Sequence, residues 1–67
     1  MNEYSIQIAS VHDKEKLVAE IWINDRMIAE ICKNDQAFEI QFYLEKFEKL
    51  NYELFVSALN EAKEKLN

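Results

Sequence analysis

Two segments ten residues apart, VAEIWINDR (18–26) and IAEICKNDQ (28–36), repeat one pattern. Each is an apolar run rich in β-branched residues that ends in Asn-Asp. Such a run reads as a strand, and Asn-Asp as the turn that closes it. The unit is too short to be a solenoid repeat, so the two copies describe successive strands of an antiparallel meander. The chain has no glycine and no proline. Asn and Asp are then the best remaining residues for left-handed backbone, which places turns at Asn24-Asp25 and Asn34-Asp35.

Period-two alternation extends the pattern in both directions. Ile6 and Ile8 alternate with Ser5 and Gln7. Phe38, Ile40 and Phe42 alternate with Glu39, Gln41 and Tyr43. Strands are expected over about 4–11, 17–23, 27–33 and 36–43. The periodicity then changes. Leu54, Phe55, Ala58, Leu59, Ala62 and Leu66 recur at helical spacing, with Asn51 as N-cap, Glu53 in the first turn and Lys63 and Lys65 in the last. Leu50 and Phe55 are placed for a hydrophobic staple. A helix over about 51–66 follows, while residues 45–49 read either as a loop or as an extra helical turn. The expected fold is α+β: a four-stranded antiparallel meander with one C-terminal helix on one face, a single domain over 1–67.

Strand parity decides which residues meet the helix, because a one-residue slip sends every side chain to the opposite face. A two-residue second turn, Asn34-Asp35, sets Ile31 opposite Phe38, Ala29 opposite Ile40 and Met27 opposite Phe42. A three-residue first turn, Asn24-Asp25-Arg26, keeps Ala19, Ile21 and Ile23 on that same face. The covered layer then reads Ala19–Ile31–Phe38, Ile21–Ala29–Ile40 and Ile23–Met27–Phe42. Large and small residues interleave, as a packed layer requires.

The same parity sends Glu20, Glu30 and Glu39 outward in one row, with Trp22, Ile28 and Gln41 in the next and Val18 beside Cys32. Like charges directly opposite on a sheet cost up to about 1 kcal/mol per pair. A chain of 67 residues has little stability to spare. The row therefore suggests a cationic ligand from a partner protein, with aromatic anchors beside it. The expected partner-binding set is Glu20, Trp22, Ile28, Glu30, Glu39 and Tyr43. The same composition is also compatible with a merely solvated outer face.

Composition narrows the class of partner. The net charge is −5, from 13 acidic and 8 basic residues. An acidic surface repels phosphate, which argues against direct nucleic-acid binding and against a membrane surface, and favours a basic protein surface. MNEYSIQIAS has neither a basic n-region nor an apolar h-region, and no apolar run approaches the ~20 residues of a membrane span. With one cysteine and no export signal, a cytoplasmic location is expected.

No catalytic set, metal site or cofactor is expected. His12, beside Asp13, reads as a solvated turn residue. Carboxylates around Cys32 would make it a poor nucleophile. One histidine and one cysteine cannot build a zinc site. Three carboxylates on a flat face lack the oxygen cage a cation needs and offer no pocket for acid–base chemistry.

VAEIWINDRMIAEI together with LNYELFVSALNEAKEKL resembles a group of small, mostly uncharacterised bacterial and mobile-element proteins, with a VAEI-type hairpin and a C-terminal helix ending A-K-E-x-L. Members of that group often carry Asp-Gly at the first turn, where this chain has Asn24-Asp25. In size and charge the chain is also similar to phage-encoded inhibitors such as anti-CRISPR proteins and to small immunity proteins. That resemblance implies a non-enzymatic inhibitor that occupies a basic surface of another protein. The alternatives are a homo-oligomer paired through the outer face or a sheet edge, and a small-molecule sequestering protein with its site between subunits.

Overall fold

A computed structural model describes residues 4–11, 16–35, 37–43 and 49–67. It contains strands β1 (Tyr4–Val11), β2 (Lys16–Ile23), β3 (Arg26–Asn34) and β4 (Ala37–Phe42), followed by helix α1 (Tyr52–Leu66). The strands form one antiparallel sheet in the order β1-β2-β3-β4, and α1 lies on one face of it. The ββββα arrangement agrees with the sequence-based expectation. His12 and residues 45–48 lie outside the described residues, so the expectations placed on them have no counterpart here.

The core is built from Ala19, Ile21, Ile23, Ile28, Ala29 and Ile31 of the sheet and from Ala58 and Ala62 of the helix. Ile21 is fully enclosed at 0% exposure. Two fully buried alanines four residues apart let the helix backbone approach the sheet closely, while Leu54, Phe55, Leu59 and Leu66 seal the margins. Asn51 caps the helix: its Oδ1 accepts from the Leu54 amide at 2.8 Å.

Both turns differ in detail from the expected ones. The first is a two-residue loop, with Ile23 opposite Arg26 and with Asn24 and Asp25 at φ 52° and 64°. Positive φ at both central residues is the mark of a type I′ turn, whose twist matches that of the flanking strands. An even loop alone would invert the faces of β3. A bulge corrects this: Trp22 faces Met27 and Ile21 faces Ala29, which leaves Ile28 as the additional residue. Ile23 therefore does not pair with Met27, yet Ala19–Ile31 and Ile21–Ala29 form as expected.

The second turn is centred one residue later. Asn34 stays in the strand opposite Ala37, and Asp35 takes the left-handed conformation at φ 57°. The pairing slides by two residues, so parity survives while neighbours change. Ile31 meets Ile40, Ala29 meets Phe42 and Lys33 meets Phe38. The Lys33 ammonium lies 5.7 Å from the Phe38 ring centroid, and Lys63 of α1 lies 5.2 Å from it.

Helix and sheet are not centred on each other. The helix packs over β1, β2 and β3, and Tyr4 of β1 donates a hydrogen bond from its hydroxyl to Glu61 of α1. Strand β4 reaches the helix at Phe38, under Lys63, and at Phe42, whose ring centroid is 6.2 Å from that of Phe55. Its inward-facing side chains consequently keep much of their exposure: Ile40 is 44% exposed and Phe42 53%.

Candidate functional site

Parity places Glu20, Glu30 and Glu39 on the sheet face away from the helix. They do not form one row. Glu20 stands opposite Glu30, but the slid register puts Gln41 next to Glu30 and moves Glu39 opposite Cys32, in the Val18–Cys32 row. The like-charge contact is thus one pair rather than a line of three.

Each of the three carboxylates accepts a hydrogen bond from an uncharged donor of the same chain. The Trp22 indole Nε1 donates to Oε1 of Glu20 at 3.1 Å. The Tyr43 hydroxyl donates to Oε1 of Glu30 at 2.7 Å. The Asn34 amide Nδ2 donates to Oε1 of Glu39 at 3.3 Å, and its Oδ1 accepts from the Lys16 ammonium at 3.2 Å. Local geometry explains the first bond, since residues two apart on a strand share a face. Tyr43 reaches Glu30 because its own amide donates to the Ile28 carbonyl at 2.9 Å, extending the β3–β4 ladder one residue past β4. Asn34 serves Glu39 because it remains in the strand instead of entering the turn. The acceptor Glu30 and the nearby charge of Glu20 hold the Tyr43 phenol above its ordinary pKa.

The expected anchor Ile28 is not on this surface. It is 3% exposed and packs within the core cluster. As the bulged residue it falls outside the simple alternation that pointed it outward. Trp22 is half-buried and Tyr43 exposed, so two of the three expected apolar anchors remain accessible.

Nor is the face flat. Val18, on the outer side, is only 5% exposed, and a depression of about 360 Å³ is lined by Lys16, Val18, Glu30, Cys32, Asn34 and Glu39 among others. Strand twist accumulates across a sheet and gives an outer face curvature. Nothing in the strand alternation signalled the burial of Val18. By contrast, the Glu20-x-Trp22 spacing was a readable sign of a bonded pair on one face.

Among the described residues no group of three His, Cys, Asp or Glu side chains is placed to hold a metal ion. None of their helices is long and apolar enough to cross a membrane. Cys32 is half-buried beside Glu39 and Val18. Comparison with family models, curated proteins and solved structures returns no significant match.

Proposed function

We propose that this chain is a non-enzymatic protein-binding module that presents its outer sheet face to a basic surface of another protein, and that it acts there as a cytoplasmic inhibitor of the anti-defence or immunity type. The observation that carries this reading is the set of three bonds from uncharged donors to Glu20, Glu30 and Glu39. A neutral donor fixes a carboxylate in place without cancelling its formal charge. The acids are pre-positioned, and toward the described residues each keeps a second oxygen for an incoming cation. Guanidinium groups suit such an arrangement because they bind carboxylates in a fork and stack on aromatic rings, here Trp22 and Tyr43. The anchor set is Glu20, Trp22, Glu30, Glu39 and Tyr43, without Ile28.

Titration with nona-arginine, with nona-glutamate as control, tests this directly. Trp22 fluorescence and backbone amide shifts should respond to the cationic peptide alone. The response should map to β2, β3 and β4 on the outer face and weaken as salt rises. A Glu20→Gln/Glu30→Gln variant with an unchanged circular dichroism spectrum should bind at least tenfold more weakly. Equal binding by that variant, or shifts centred on the helix, rules the reading out.

A further inference from the structure

The proposed function uses β4 only through the outward Glu39, and the strand's free edge and inward side have two unsatisfied features. Its inward side chains Ile40 and Phe42 are half exposed because the helix sits over the other three strands. Among the described residues it is also an open edge, paired with β3 alone. The two features coincide on the same residues. Tyr43 directs its N–H to Ile28 of β3. In an antiparallel ladder successive residues alternate in the side to which they turn N–H and C=O. Residues 37, 39, 41 and 43 therefore turn theirs toward β3, and Phe38, Ile40 and Phe42 turn theirs to the free edge.

We infer that two copies of the chain associate through β4, antiparallel, with Ile40 on the two-fold axis. The occupant is a second copy because the strand is complementary to itself in that register. Ile40 meets Ile40 of the second copy as a hydrogen-bonded pair, and Phe38 meets Phe42 in both directions. On the outer face Glu39 meets Gln41 of the second copy, an amide donor opposite a carboxylate. Centring the axis one residue earlier would set Glu39 against Glu39, a like-charge pair at close range, and would lose ladder bonds. Pairing β4 with β1 of another copy would be head-to-tail and would leave one β4 edge and one β1 edge open in a pair of copies. The chosen register closes, makes a continuous eight-stranded sheet with both helices on one face, and covers Phe38, Ile40 and Phe42 of each copy. Of the outer-face anchors it adjoins Glu39 and Tyr43, while Glu20, Trp22 and Glu30 take no part.

Salt separates the two associations. Each copy carries a net charge of −5, so like-charge repulsion opposes dimerisation and added salt tightens it, whereas salt loosens binding to a basic peptide. Sedimentation equilibrium between 5 and 500 µM should show conversion from 8.0 kDa to twice that mass, shifted to lower concentration at 0.5 M NaCl. Mixed isotope-labelled samples should give an intermolecular Hα–Hα contact between residues 39 and 41. The amides of Phe38, Ile40 and Phe42 should gain protection from exchange only at high concentration. Ile40→Lys should abolish the dimer with an unchanged circular dichroism spectrum. Ile40→Pro, which removes an edge N–H that β3 does not use, should do the same. A monomer at 500 µM and high salt, a dimer that survives both substitutions, or concentration-dependent protection on β1 instead would overturn the inference.

Discussion

The Tyr4 hydroxyl of the first strand donates a 2.8 Å hydrogen bond to Oε1 of Glu61 in the helix, joining residues 57 apart in the chain. Tyr43 and Glu30 repeat the relationship within the sheet. In both pairs a neutral phenol is the donor, and the bond to the carboxylate raises the phenol above its ordinary value of 10.0. A phenol raised in the folded state adds stability that is intact below pH ~10, where it is neutral in both states, and is lost as pH climbs through the raised folded value. Urea midpoints measured from pH 8 to 11 should therefore fall above pH 10. The Tyr4→Phe/Tyr43→Phe variant should show a smaller fall across the same window. An identical slope in the two proteins would exclude this linkage.

The first turn holds two non-glycine residues in left-handed conformation. Asp25→Gly creates Asn-Gly, the preferred type I′ dipeptide, and should stabilise the protein by about 1 kcal/mol. Thermal melts should rise by roughly 4–8 °C for that gain. Asp25→Val, with a β-branched side chain at positive φ, should lower the melting temperature instead.

Ile21 and Ile28 differ in their visibility in the sequence but not in their burial, at 0% and 3%. Ile21→Val should cost about 1 kcal/mol, and alanine at either position about 2–5 kcal/mol. That is comparable with the whole stability of a domain this small. Both alanine variants should be largely unfolded at 37 °C by circular dichroism, while Leu17→Ala, on an exposed side chain, should stay within about 0.5 kcal/mol of the parent.

Loss of the helix cap gives a smaller effect of known sign. Asn51→Ala removes the acceptor for the Leu54 amide and should destabilise the protein by about 1 kcal/mol, whereas Asn51→Asp or Asn51→Ser should be nearly neutral. Urea denaturation resolves a difference of that size.

Parity was the legible part of this protein. Alternation alone separated the isoleucines under the helix from the glutamates outside, and the helical stripe from Leu54 to Leu66 agrees with the packing seen. The path to that parity was not legible. A three-residue loop and a two-residue loop with a bulge give the same faces beyond the turn, and only packing chooses between them; simple alternation points Ile28 outward, whereas it is buried. The second turn failed differently. Asn34 and Asp35 both tolerate left-handed backbone, so the turn chemistry does not choose between them, and the contacts that Asn34 makes from the strand are with Lys16 and Glu39, residues that local sequence does not bring together. The slid register then sets Glu39 opposite Cys32 instead of Glu30. The off-centre seating of the helix, which uncovers β4, likewise depends on three-dimensional fit at Ala58 and Ala62.

Because α1 follows all four strands, the ribosome delivers the sheet before its cover. Translation from Tyr43 to Leu66 takes about one to five seconds at roughly 5–20 residues per second. During that interval the apolar face carrying Ile21 and Ile31 has no helix to cover it. Substitutions that slow the docking of the helix should therefore show first as poor recovery of protein from cells, ahead of any change in the purified molecule.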